Sequence, residues 1–181
     1  LMRFNRQHPD MAAMLVALGR TIVVEVELRV EENHNLRCES WVSLSANELF
    51  AAPGSSGSTI ESFLESSGRI EAIWYPFTSN PWLKVWTITP TKPFWAREVE
   101  SPYNYPFSDN LSEEVSDLIA QIMDGSPGLT PQFGQLMATV TTWGLLFDNA
   151  YDLWGPSKNL LLYVRPTTLR VTANGYAILT R

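Results

Sequence analysis

Between residues 21 and 30 the chain alternates, with Val24, Val26, Leu28 and Val30 set between Glu25, Glu27 and Arg29. That period of two predicts a strand with one buried face. Ahead of it, Asp10 is placed to cap a short helix over 11–18 that Gly19 ends. The polar stretch 31–35 then reads as a linker. A domain boundary is expected there, dividing the chain into residues 1–31 and 32–181. Residues 36–43 return to strand character. Ser45-Ala46-Asn47-Glu48 has capping-box spacing and predicts a helix through Phe50. A Pro-, Gly- and Ser-rich loop over 52–58 leads to a second box, Ser58-Thr59-Ile60-Glu61. It predicts a helix through Glu65 that Gly68 closes. Residues 69–77 and 82–89 are predicted strands, joined as a hairpin by Thr78-Ser79-Asn80-Pro81.

Residues 89–108 hold Pro90, Pro93, Pro102 and Pro106 among aromatics. The stretch is too apolar for a free linker and is expected to pack on the domain in extended form. A helix over 112–123 carries Val115, Leu118, Ile119 and Ile122 on one face, and Gly125 stops it. Thr130 as cap and Pro131 at the first position start another helix, reaching about residue 149. Strands are expected over 159–165 and 169–179, the second turning at Asn174-Gly175. Helices and strands are intermixed rather than alternating, which predicts an α+β fold. Its sheet is expected to be mixed, largely antiparallel, and covered by helices on one side.

Composition narrows the function. With 45% hydrophobic and 18% charged residues, the 181-residue chain can bury a sizeable core and is not a disordered tail. Its net charge of -6, with 13 Lys and Arg scattered along it, leaves no basic stripe for a phosphate backbone. Nucleic acid is not an expected partner. No apolar run approaches the roughly 20 residues of a membrane helix, so no transmembrane segment is expected. The first residues also lack the apolar core and cleavage site of a signal peptide. Seven Trp, six Tyr and eight Phe stand out, and on strands they build either a packed core or a binding wall.

Self-contained catalytic chemistry is missing. His8 and His34 have no ligand partner at metal spacing, and no metal site is expected. There is no G-x-S-x-G elbow, phosphate loop or dinucleotide fingerprint. Cys38, the one cysteine, falls in mid-strand, where a buried inert thiol is the expectation. Glu71 interrupts the apolar run Arg69-Ile70-Glu71-Ala72-Ile73-Trp74. Two readings stand: a partly desolvated carboxylate serving as proton acceptor or gate, or an ion-pair partner of Arg69 or Lys84. Asp109, Asp152 and Lys158 fall in loop-like stretches and read as turn or capping residues.

Three strings are longer than chance supplies. One is Gly68-Arg69-Ile70-Glu71-Ala72-Ile73-Trp74-Tyr75-Pro76-Phe77-Thr78 with Asn80-Pro81-Trp82-Leu83-Lys84-Val85-Trp86. The others are Pro102-Tyr103-Asn104-Tyr105-Pro106-Phe107-Ser108-Asp109-Asn110 and Gly155-Pro156-Ser157-Lys158-Asn159-Leu160-Leu161-Leu162-Tyr163. Together they resemble the substrate-binding domain of the covalent-FAD cholesterol oxidases, flavoproteins of the vanillyl-alcohol-oxidase type, over about residues 20–181. Leu18-Gly19-Arg20-Thr21 and Glu25-Val26-Glu27-Leu28-Arg29-Val30 resemble the last helix and strand of that family's FAD-binding domain.

The resemblance implies a cap domain roofing a flavin, with a sterol and the FAD-binding domain as partners and FAD as cofactor. It implies oxidation of a sterol 3-hydroxyl to the ketone with O2, giving H2O2, with isomerisation of the ring double bond. A rigid apolar sterol wants a dry aromatic cavity, for which Trp74, Trp82, Trp86, Phe77 and Tyr163 are the candidates. Thr21 and Val24 take the positions nearest the cofactor, although a hydroxyl residue usually stands where this chain has Val24. A cap glutamate is implied in catalysis; Glu71 is the candidate, with Glu61 and Glu65 as competitors. The glycine-rich FAD segment and flavin-tethering histidine are expected upstream of Leu1, and a catalytic Glu and Arg after Arg181. This chain alone is therefore expected to be inactive. Rival readings are a cap for another bulky alcohol or sugar lactone, and a non-catalytic module for apolar ligands.

Overall fold

The computed structural model describes residues 2–15, 20, 22–27, 29, 32–109 and 113–161. They fall into two units, one within Leu1–Glu32 and one that begins at Asn33. The first holds α1, Met11–Leu15. The described residues of its expected strand over 21–30, namely 22–27 and 29, form no strand but unpaired coil, with Ile22 93% and Val24 68% exposed. Alternation favours a strand only where a neighbour takes up the backbone N–H and C=O groups. Among the described residues none does.

The second unit is built on a five-stranded sheet of order β2-β3-β1-β5-β4. Its strands are β1 (Asn35–Trp41), β2 (Arg69–Ile73), β3 (Trp82–Ile88), β4 (Arg97–Glu98) and β5 (Asp152–Pro156). β1 pairs antiparallel with β3 and β5, β2 pairs antiparallel with β3, and β4 pairs parallel with β5. This is the mixed, largely antiparallel α+β sheet that the pattern predicts. The helices are α2 (Ala46–Leu49), α3 (Ile60–Ser67), α4 (Pro106–Asp109), α5 (Glu113–Met123), α6 (Thr130–Phe147) and α7 (Ser157–Leu161).

The helical cover expected on one side is present on both. On one face Leu83 and Val85 of β3 pack with Leu49 of α2 and with Ile60 and Phe63 of α3. On the other, Leu36, Cys38, Trp82, Trp86 and Leu153 form the larger core with Tyr105, Leu145 of α6 and Leu160 of α7. β3 is consequently buried on both faces without a break from Trp82 to Trp86. β1, by contrast, alternates buried Leu36, Cys38 and Ser40 with half-buried Arg37 and Glu39. On the face that carries Leu83 and Val85, Arg37 is bidentate to Asp152, with both N···O distances 2.8 Å, and also meets Glu39 at 3.1 Å.

Other local readings shift for physical reasons. Ser45 caps α2 through Glu48 N, as its spacing predicts. The cap of α3 is Thr59 rather than Ser58, in a reciprocal box with Ser62. That frees Glu61 to accept the Gly54 N–H at 2.6 Å, tying the loop to the helix. Gly68 ends α3 in the left-handed conformation. Thr130 is the first residue of α6 rather than its cap; its hydroxyl donates to Pro127 O in the 3-10 turn Pro127–Leu129. β2 stops at Ile73, so the connection to β3 is longer than a tight hairpin. Asp152 is a strand residue, not a turn residue, and Lys158 lies in α7. The strand expected over 159–165 is α7 as far as Leu161; the rest of it, and the strand over 169–179, lie outside the described residues.

Two glycines let α6 approach its neighbours. A Cβ on Gly134 would stand 1.8 Å from Pro76 O, and one on Gly144 2.1 Å from the Phe107 ring. At the far end of the sheet from the chain entry at Asn35, Phe77 takes a positive φ of 59°. Its carbonyl is held by the Gln135 side chain at 3.0 Å. No helix among the described residues is long and apolar enough to cross a membrane.

Candidate functional site

Antiparallel register decides which candidates share a face, because directly paired residues point the same way. Glu71 is paired with Lys84, Arg69 with Trp86 and Ile73 with Trp82. Cys38 and Ser40 of β1 lie opposite Trp86 and Lys84 on the same face. Lys84 therefore stands in the middle of an aromatic patch and is only 8% exposed. Its Nζ lies 4.7 Å from the Trp82 ring centre, 4.9 Å from that of Tyr105 and 5.5 Å from that of Trp86. Its ion-pair partner is the Glu71 carboxylate, whose side chain is half-exposed. Burying an ammonium is costly unless it is paired, and here one carboxylate and three π faces compensate it.

The surrounding groups are fixed in turn. Trp82 Nε1 donates to Ser40 Oγ at 3.1 Å, and its ring meets Tyr105 edge-on at 4.9 Å. Cys38 Sγ and Tyr105 OH lie 3.4 Å apart. The Trp86 Nε1–H is buried with no acceptor among the described residues. Burial pushes the Cys38 thiol up to about 11, and raises the Tyr105 and Tyr103 hydroxyls for the same reason. All three are acids held neutral by the fold. Their contribution is fully present below the ordinary thiol value of 9.0 and is lost as pH rises toward the folded values. Thermal stability should thus be flat through neutral pH and fall above about pH 9, with a smaller fall in Tyr105→Phe. Thiol reagents should leave Cys38 untouched in the folded chain and label it on denaturation.

The sequence candidates do not all meet. Glu71, Trp82 and Trp86 converge on Lys84. Trp74 and Phe77 follow β2 and are 53% and 69% exposed; Trp74 stacks on Phe50 at 5.5 Å and donates to Thr78 O. Glu61 and Glu65 ride on α3, the helix whose Ile60 and Phe63 cover the opposite face of the sheet. Val24 is exposed and has no hydrogen-bonding side chain. Thr21 and Tyr163 lie outside the described residues. The cage around Lys84 was open to discovery in part, since period two puts Trp82 and Trp86 on either side of it. Tyr105 arrives from a distant segment and carried no such signal.

A cavity of 390 Å³ lies between α6 and the residues after β2. Trp82, Val42 and the Tyr75–Thr141 hydroxyl pair, 2.9 Å apart, line it, with Gln135 and Trp143. Its lining is richer in hydroxyl and amide groups than the dry aromatic chamber expected for a sterol.

Comparison with known proteins adds to this geometry. Residues 35–181 match the family described as cholesterol oxidase, substrate-binding. A solved solvent-stable cholesterol oxidase is 54% identical with a TM-score of 0.78, over 93% of this chain and 32% of that one. Cholesterol oxidase from Brevibacterium sterolicum is 50% identical with a TM-score of 0.71, over 76% of this chain and 26% of that one. A single-site mutant of the Brevibacterium enzyme matches over the same shares at 51% identity and a TM-score of 0.71. This chain thus spans a third or less of the length of these structures. Among curated proteins no match was found.

Proposed function

This chain belongs to the cholesterol oxidase substrate-binding family, and from that premise we propose that it is the sterol-binding portion of a longer FAD-dependent oxidase. The reaction takes two electrons and two protons from a sterol 3-hydroxyl to O2, leaving a ketone and H2O2, and is followed by a shift of the ring double bond. The observation that carries this reading is the family match over residues 35–181, joined to about half identity with two oxidases of solved structure.

Thr21 lies outside the described residues, and among the described ones no flavin site is formed. Val24 offers no hydrogen bond, and the sequence holds no glycine-rich phosphate cradle. FAD and its chemistry are proposed for an FAD-binding domain of the longer protein, to which residues 1–31 belong as its closing segment, their strand forming only where that domain supplies a neighbour, while residues 32–181 are the cap. What this chain supplies is position: aromatic walls for the sterol from among Trp74, Phe77, Trp82, Trp86 and Tyr163, and a fixed carboxylate. Glu71 is favoured over Glu61 and Glu65 for that role because it alone stands on the face with Trp82 and Trp86.

The direct test uses the 181-residue chain with cholesterol and added FAD, following peroxide. No H2O2 above background is the expected result. Peroxide formation by this chain would mean that it holds the flavin and carries the reaction unaided.

A further inference from the structure

The cavity beside α6 presents oxygen atoms that the fold does not use. Gln135 commits its amide nitrogen to Phe77 O at 3.0 Å, and Asn80 commits its own to Val42 O at 3.3 Å. In a planar amide the oxygen then points along the other branch, and no donor among the described residues reaches either one. Thr139 and Thr142 each give the hydroxyl proton to a helix carbonyl one turn back, at 2.8 Å. Their oxygens are left as acceptors. No charged residue lines the space. One wall is Trp143, 52% exposed, and the inner end is formed by buried Trp82 and Thr141.

We propose that this cavity is a binding site for a neutral polyhydroxylated ligand, a sugar ring or a cyclic polyol. Several fixed acceptors call for a partner that donates hydrogen bonds in several directions, as a ring of hydroxyls does. An uncharged lining offers nothing to pair with an anion or a cation. The indole of Trp143 supplies a flat apolar wall for the C–H face of such a ring. A sterol, with one hydroxyl on a large apolar body, would cover these acceptors without pairing them. At 390 Å³ the cavity falls at the lower end of the roughly 300–1,000 Å³ range of small-molecule sites. The cavity shares Trp82 with the sterol-wall candidates; Trp74, Phe77 and Trp86 do not line it, and the inference does not depend on the sterol-binding role.

The test titrates the full chain with methyl β-D-glucopyranoside and with myo-inositol, reading tryptophan fluorescence and saturation-transfer NMR. Saturable binding is expected with Kd of about 1–10 mM. Trp143→Leu and Thr139→Val should each weaken it at least about fivefold at unchanged melting temperature. Both positions are exposed on α6, and the valine is isosteric, so a folded protein is retained for the comparison. Absence of saturable binding by either probe overturns the proposal, as does binding that neither substitution alters. Displacement of the bound sugar by pregnenolone also overturns it, because the cavity then belongs to the sterol.

Discussion

Glu71→Gln in the longer oxidase proposed for this chain is expected to lower turnover by about 10²-fold, the loss typical of a missing general acid or base. Glutamine keeps the shape and most of the hydrogen bonding of the glutamate while removing its charge and its capacity to take a proton. The structure gives this substitution a second effect. Lys84 is buried in its aromatic cage, and the Glu71 carboxylate is its ion-pair partner. A neutral amide leaves that ammonium an uncharged acceptor and the π faces but no counterion, which is expected to destabilise the protein by about 1–3 kcal/mol. Lys84→Met should be milder, because it strands only a half-exposed carboxylate that water can reach. The pair of variants separates chemistry from structure. If Glu71 is only a counterion, turnover of folded Glu71→Gln stays within a few-fold while the stability loss remains.

Much of the fold was legible wherever local chemistry and tertiary packing agree. Ser45 and Gly68 bound helices as their types require, and the alternation in β1 follows its single fully covered face. The Glu71–Lys84 pair was legible as one of two readings, because register in a hairpin follows from period two once both strands are recognised. The failures share a cause. Residues 22–27 alternate as a strand does, yet pairing is a property of the neighbour, and no described neighbour pairs with them. Asp152-Leu153-Trp154-Gly155-Pro156 looks like a loop because of its glycine and proline, but Gly155 is there for proximity. A Cβ on it would stand 2.7 Å from Val99 O. The helical cover on the second face was missed because a stripe such as Ile60, Phe63 and Leu64 of α3 says that a helix is covered on one side, not which face of the sheet it meets. The cavity was missed because its lining comes from the residue after β1, the residues after β2, the start of β3, and α6, which no local window joins.

Gly134→Ala is the structural substitution expected to do most damage. Taken alone, alanine favours a helix over glycine by about 1 kcal/mol, so propensity argues for a stabilised α6. The added Cβ would stand 1.8 Å from Pro76 O and 2.9 Å from Pro76 C. Those are backbone atoms, which cannot rotate out of the way as a side chain can, so α6 or residues 75–78 must move. The same segment carries the left-handed Phe77, whose carbonyl the next helix residue, Gln135, holds in place. Residues in such conformations persist only where the surroundings over-determine them. Pushing the helix away releases that grip and the Tyr75–Thr141 contact together. A net loss of about 1–3 kcal/mol is expected, typical of overpacking, with the melting temperature falling accordingly. Gly128→Ala is the matched control, since its Cβ would meet nothing within 4 Å. It should leave stability within about 0.5 kcal/mol of the starting protein. Equal melting temperatures for the two variants would show that the close approach of α6 to Pro76 does not hold this end of the sheet together.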